Sequence, residues 1–339
     1  MDTAMLREQL EKDVNGICFA GGRRAGSEGS GKAREYLLGR MRGLGLVPYG
    51  GHKDMDLPYR TSGGMIFHNL VGVLKGKNPK LAPVLIGAHY DSPIDAPCAD
   101  DNAAAVAIAM STVERLKAKD TDRDFVLAIF DAEEPPHFCN SAMGSIRFFK
   151  DAADNRGFNA AIIMDLVGHD VPAPGGLPRK IADTVRSLLF MTGAESAPGL
   201  ADIVGKTRIP EGLGVIAALN SYVGDMSDHH IFRVNRVPYL FLSCGHWPHY
   251  HMKTDTVEKL NFSKISLICE YLVALCSELA GKDVQKSGDD ADTIKFEIGT
   301  VEKALGKNYK SLLDAIGVGL LKGRKDMDRF ADVLRGFGI

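Results

Sequence analysis

Five short segments of the chain carry imidazoles and carboxylates at positions where they could converge: His89-Tyr90-Asp91-Ser92, Asp100-Asp101-Asn102, Asp131-Ala132-Glu133-Glu134, Met164-Asp165 and Tyr250-His251. Each alone is ordinary, because acidic and histidine residues are common on surfaces. Together they offer two imidazoles and several carboxylates, most of them directly after an apolar run. That donor set suits a pair of zinc ions activating one water for hydrolysis.

The segments divide the labour by residue type. His89 ends the apolar run Val84-Leu85-Ile86-Gly87-Ala88, and Asp91, two residues on, points to the same side in extended chain. An Asp beside a ligand imidazole can accept its second N–H and set the tautomer. A strand-end histidine capped by an aspartate would account for that motif taken alone. Asp100-Asp101 precedes a helical stretch, so capping explains one acid but not two. A carboxylate here could bridge two cations at the separation of about 3.5–4 Å used by two-metal sites. Glu133 and Glu134 are adjacent at a strand end, so one can bind metal while the other takes a proton. Asp165 follows Ile162-Ile163-Met164 and is placed as a terminal ligand. For the last ligand His246, His249 and His251 compete within one loop; the setting Tyr250-His251-Met252-Lys253-Thr254-Asp255-Thr256 favours His251.

The elements that must hold these groups alternate. Apolar, β-rich runs occur at 65–74, 84–88, 125–130, 160–164 and 237–242, with helical patterns at 103–117, 144–153, 178–192 and 228–234. This alternation predicts an α/β fold, a single-domain mixed but mostly parallel sheet with helices on both faces. Ligands in such folds collect beyond the carboxyl ends of the strands, where His89, Glu133, Glu134 and Asp165 fall. Two helices precede the sheet within 3–47, broken by Gly21-Gly22-Arg23-Arg24 and Gly26-Ser27-Glu28-Gly29. Residues 168–224, rich in Gly and Pro, are expected to form pocket loops with a helix or two. A long helix at 261–279 closes the domain (1–281), and a polar linker follows to 292. The remainder, 293–339, has helical periodicity and is expected as a C-terminal helical extension that dimerises, packs over the cleft, or does neither.

Composition narrows the function classes. With 41 Lys and Arg against 43 Asp and Glu, nothing suggests a footprint for nucleic acid or an anionic membrane surface. No apolar run approaches a membrane span, and the first residues lack a basic n-region and apolar h-region, so the expected location is cytoplasmic. The six cysteines form no CxxC pair; Cys269 and Cys276 share a helical apolar face, and Cys98 and Cys139 are expected to be small buried thiols. Oligomeric state is not legible.

In order and spacing, Ala88-His89-Tyr90-Asp91-Ser92, Ala99-Asp100-Asp101-Asn102-Ala103, Phe130-Asp131-Ala132-Glu133-Glu134, Met164-Asp165-Leu166-Val167-Gly168, Ser227-Asp228-His229 and Tyr250-His251 with Thr254-Asp255-Thr256 resemble the co-catalytic di-zinc aminopeptidase family, over roughly residues 65–280. The resemblance implies that Asp101 bridges two zinc ions, that His89 and Asp165 complete one site, and that Glu134 and His251 complete the other. It implies Glu133 as general base, Asp91 as the residue orienting His89, and Tyr250 as a helper on the carbonyl oxygen. The implied substrates are peptides with a free N-terminus.

Three departures stand out. Ala104-Ala105 replace a family Ser-Gly at a helix start, and Met252 stands where Thr is usual. The link after the glutamates is also longer, spanning residues 135–143, and resembles the related glutaminyl cyclases, which cyclise N-terminal Gln. Pro135, His137 and Phe138 in that link are expected in the pocket wall. The aminopeptidase reading leads, on Tyr250-His251 and Thr254-Asp255-Thr256. Behind it stand the cyclase, a zinc deacylase or carboxypeptidase, which typically carries an inserted lid domain, and a non-catalytic binding module that has lost its metals.

Overall fold

A computed structural model describes residues 3–153, 156–285 and 290–336. Helices α1 (Thr3–Ile17) and α2 (Glu28–Gly43) lead into strands β1 (Val47–Pro48), β2 (Asp56–Arg60), β3 (Ile66–Leu74) and β4 (Val84–His89). Next come α3 (Ala104–Leu116), β5 (Phe125–Phe130), α4 (Gly144–Asp151), β6 (Ala160–Met164), α5 (Arg179–Arg186), β7 (Leu188–Thr192) and α6 (Leu200–Lys206). The chain continues through β8 (Gly214–Ala217), α7 (His229–Val234), β9 (Tyr239–Ser243) and α8 (Phe262–Ala280), then α9 (Ile294–Leu305), α10 (Tyr309–Ala315) and α11 (Arg324–Gly336).

The strands form one mixed sheet in the order β1-β3-β5-β4-β6-β9-β7-β8, with β2 also paired to β3. Its centre, β5-β4-β6-β9, is wholly parallel, while β3 and β7 enter antiparallel. Every residue of β4, β5 and β6 is buried, which is why these strands read as unbroken apolar runs. Successive side chains serve opposite faces. Ile86, Leu127 and Ile162 enter the larger core with α1, α2, α3 and α8, whereas Leu85, Val126 and Ile163 enter the smaller one with Phe148 of α4 and Phe232 of α7.

Residues 178–192, expected as one helix, divide into α5 and strand β7. Leu188-Leu189-Phe190-Met191-Thr192 is a short apolar run, and periodicity alone does not separate a buried strand from a helical segment. Parallel pairing with β8 and antiparallel pairing with β9 decide it. Strand β8 likewise replaces part of the expected loops between 168 and 224. It reads poorly because it is short and opens on Gly214, where a Cβ would press within 2.8 Å of Leu188.

The C-terminal helices do not stand apart. Val301, Leu305, Leu313, Leu321, Met327 and Phe330 all belong to the larger core. The polar stretch expected as a linker lies partly outside the described residues, at 286–289. Among the described residues, no helix is long and apolar enough to cross a membrane.

Candidate active site

The parallel strands end side by side and deliver their next residues to one rim. β4 ends in His89, paired with Phe130 at the end of β5, so Asp131–Glu134 emerge beside it. β6 contributes Asp165, whose N–H donates to Leu242 O of β9. Asp101 comes from the irregular turn Ala99–Ala103 ahead of α3, and His251 from the loop after β9.

Four non-glycine residues with left-handed backbone sit in these segments: Cys98 (φ 44°), Ala132 (φ 54°), Leu166 (φ 53°) and His251 (φ 55°). Such conformations cost about 1–3 kcal/mol each and persist where the surroundings over-determine them. Here they turn the chain sharply enough to aim the adjoining side chains inward.

The donor atoms converge in two groups that share Asp101. His89 Nε2 lies 3.5 Å from Asp101 Oδ1 and 3.5 Å from Asp165 Oδ2. His251 Nε2 lies 3.2 Å from Asp101 Oδ2 and 3.3 Å from Glu134 Oε2. The two oxygens of Asp101 therefore face different groups. Glu133 Oε2 is farther back, 3.8 Å from His89 Nε2. His89, Glu133 and Glu134 make a third convergent group of donor atoms.

These approaches are not hydrogen bonds. His89 Nε2, His251 Nε2, Asp101 Oδ2 and Asp165 Oδ1 are all buried without a hydrogen-bond partner. Unsatisfied buried polar atoms are costly, so a cluster of them marks a place for an ion. Two ligands held tetrahedrally at zinc distances of about 2.0–2.1 Å sit about 3.3–3.4 Å apart. The 3.2–3.5 Å spacings above fit that edge length.

The electrostatics agree. Burial, then repulsion from neighbouring carboxylates, pushes Glu133 and Glu134 well above the usual carboxylate range, although the histidines beside them pull the other way. Burial lowers the basicity of His251, but Asp101 and Glu134 outweigh it and raise it to about 10. His89 is raised in the same manner by Glu133 and Asp165. So much negative charge on buried side chains is stable only against added positive charge.

Around this cluster lies a scaffold of buried acids and one arginine. Asp91 accepts the N–H of Glu133 at 3.0 Å and of Glu134 at 3.1 Å, and its Oδ1 lies 3.4 Å from His89 Nδ1. It therefore anchors both glutamates as well as facing the histidine, a double role its spacing from His89 does not reveal. Asp100 is not a helix cap: it accepts the N–H of Gly168 and meets His169 Nδ1 at 2.6 Å, tying the turn to the chain after β6. Asp255 accepts the N–H groups of Asp100 and Asp101.

Asp131 accepts from His68 and Ala132 and is structural. Arg23, unread in its glycine-rich loop, is fully buried and donates to the carbonyls of Pro97, Cys98 and Asp101, pinning the turn. Asp228 is buried with both oxygens unpartnered, and burial is the main reason it is raised to about 7. Its only sequence signal is the Ser-Asp-His triplet.

Among the competing histidines, His249 is half-buried and bonds Thr254, and exposed His246 stands over Tyr250, with ring centroids 4.5 Å apart. Neither joins the cluster. Tyr250 stacks on His251 at 3.8 Å, and burial followed by the nearby carboxylates drives its hydroxyl pKa up, so it keeps its proton. In the 135–143 link, Pro135 and Phe138 line the cleft, but His137 turns away and packs edge-on against Phe67. Cys98 is buried as expected; Cys139 is exposed, because the link turns it outward.

The cluster floors a cleft of about 390 Å³. Its walls are mainly apolar and include Phe138, Leu166, Phe190, Val223, Met226 and Phe241. An acidic, cation-ready floor beneath apolar walls can hold an amine and a polarised carbonyl at one end and a hydrophobic side chain beside them.

Comparison with known proteins bears on the family and the fold. The sequence profile of Peptidase family M28 matches residues 69–276. Among curated proteins, the "Uncharacterized protein YfbL" of Escherichia coli (strain K12) is 22% identical over 222 residues, 57% of this chain. The match spans 65% of that relative's length.

Among solved structures, the Tannerella forsythia glutaminyl cyclase is similar with a TM-score of 0.60 and 18% identity, over 81% of this chain and 98% of that one. A Zn-dependent exopeptidase from Parabacteroides distasonis gives 0.60 and 15%, over 80% and 97%. The LapA aminopeptidase of Legionella pneumophila gives 0.64 and 19%, over 83% and 74%. At such identities these likenesses speak to the fold. The profile match, by contrast, covers more than half of the chain and takes in every segment that supplies a residue to the cluster, so this chain belongs to peptidase family M28.

Proposed function

We propose that the chain is a zinc-dependent aminopeptidase that removes the first residue from peptides with a free N-terminus. The observation that carries this reading is the pair of donor groups joined through the two oxygens of Asp101, flooring a cleft with apolar walls. His89 and Asp165 would hold one zinc, Glu134 and His251 the other, with Asp101 between them. Bound there, the ions would polarise the scissile carbonyl and bring the acidity of the attacking water toward neutrality.

Glu133 stands behind the floor without joining the closer contacts, and its raised affinity for a proton suits a general base. It would take the proton of the attacking water and pass it to the leaving amine. Tyr250, protonated and facing the same cleft, would donate to the carbonyl oxygen as charge develops there. The carboxylate-rich floor would attract the substrate's α-ammonium group, which limits attack to the first peptide bond. The apolar wall of Leu166, Phe190 and Phe241 would receive the first side chain and exclude water from it.

The glutaminyl cyclase reading draws on the 135–143 link, of which Pro135 and Phe138 wall the cleft. One experiment separates the two. A defined peptide pool is incubated with zinc-loaded protein, with and without chelator, and read by mass spectrometry. Chelator-sensitive loss of single N-terminal residues is expected. Loss of ammonia from peptides beginning with Gln, without cleavage, would replace the proposal by the cyclase.

A further inference from the structure

Helix α11 lies outside the family-matched segment 69–276, yet Ala331, Leu334 and Arg335 on it line the cleft. Their spacing places them on one helical face. The preceding turn of the same flank is fastened to the body of the protein, with Met327 and Phe330 in the main core. Beside them Arg324 forms two 2.7 Å hydrogen bonds to Glu297 of α9, a carboxylate that is 1% exposed and also accepts from Thr293. Arg324 also donates to the hydroxyl of Tyr222, which in turn donates to Asp328 at 2.7 Å. Tyr222 is itself a cleft residue. The helix is thus tied to the cleft wall through a charged network and is a fixed part of it.

The charge along the cleft is uneven. Its lining includes Asp101, Glu133, Glu134, Asp165, His246 and His251; among the described lining residues the single Lys or Arg is Arg335. Arg335 pairs with Asp332 one turn back on the same helix and is about half exposed. A guanidinium has five donors in a planar fork, so this pairing leaves donors for a second carboxylate. The cleft volume, about 390 Å³, is near the lower end of small-molecule sites, roughly 300–1,000 Å³. A short peptide carries an ammonium group at one end and a carboxylate at the other, and the lining of this cleft holds both an acidic cluster and one guanidinium.

Resting on the aminopeptidase reading, we propose that α11 closes the far end of the cleft and that Arg335 binds the C-terminal carboxylate of a di- or tripeptide. The enzyme then trims short free peptides in preference to the ends of long chains.

The test uses the full-length, zinc-loaded protein in two measurements. In the first, Glu133→Gln protein is titrated calorimetrically with Leu-Gly-Gly and with its C-terminal amide. The free acid is expected to bind at least tenfold more tightly, and adding Arg335→Gln brings the ratio close to one. Absence of the preference, including no binding at all, or its survival in Arg335→Gln, overturns the proposal.

In the second, kcat/KM of the unmutated protein is compared for Leu-Gly-Gly and a Leu-led hexapeptide. The tripeptide is expected to be at least tenfold better, mainly through KM, and equal values overturn the closed end. Acid-selective binding without any cleavage would sink the hydrolytic reading and leave the cleft assignment standing. Cleavage indifferent to length and end group would do the reverse.

Discussion

Replacing Asp91 by Asn removes one oxygen and adds nothing to the volume, so its effects trace to hydrogen bonding and charge. In the native site both carboxylate oxygens are engaged: Oδ1 by the N–H of Glu133 and the approach of His89 Nδ1, Oδ2 by the N–H of Glu134. A carboxamide keeps one acceptor and turns an NH₂ toward the other N–H, leaving a buried donor unmet at about 1–3 kcal/mol. The metal-free protein has an offset, because the lost charge had been repelling buried Asp131 and Asp228.

The clean quantity is therefore the zinc-dependent part of stability. Loss of a carboxylate behind a ligand histidine weakens metal binding about 10- to 100-fold. At fixed zinc, the stability difference between loaded and chelated protein should shrink by about 1.4–2.7 kcal/mol. Urea unfolding of both proteins, with zinc in excess and with chelator, measures it, and competition with a chromophoric chelator gives the affinity directly. Zinc affinity within threefold of the native value would refute the assigned role of Asp91.

Glu133→Gln should retain both metals by elemental analysis and lower kcat by about 10²–10⁴-fold; retained turnover would move the base elsewhere. His251→Ala should lower the bound metal, whereas His249→Ala, which loses the contacts with Thr254 and Trp247, should not; the reversed result would reassign the ligand.

Glu195 is held up to about 7 mainly by burial, although it accepts the N–H of Asn220 at 2.6 Å. Because the folded state holds this proton more tightly than the unfolded chain, its contribution is fully present below about pH 4.5 and is lost as pH rises through 7. Glu195→Gln should therefore gain on the native protein between pH 5 and pH 8, on the order of 3 kcal/mol. A gap that does not change with pH would dispose of the argument.

What could be read from the chain alone was local. His89, Glu133, Glu134 and Asp165 each follow an apolar run long enough to be a buried strand, and in a parallel sheet the ends of such strands meet on one rim. Strand identity at the sheet centre followed for the same reason, since a strand covered on both faces must be apolar throughout. Tertiary structure decided matters that depend on partners far along the chain. Periodicity does not distinguish β7 from a helical continuation of α5, and pairing with β8 and β9 does.

Three histidines in one loop offer the same chemistry, and only the left-handed turn at His251 brings one of them to Asp101. Asp91 accepts from residues 42 and 43 positions away, and Arg23 braces carbonyls 74 and more positions away. The amphipathic pattern of α11 declared a helix without saying which surface its apolar face would meet. The contacts of Glu297, Arg324 and Tyr222, which join segments 27 and 102 residues apart, put that face on the cleft. Helical and strand periodicity record which side of an element is buried, and the identity of the surface it is buried against exists only once the whole chain has folded.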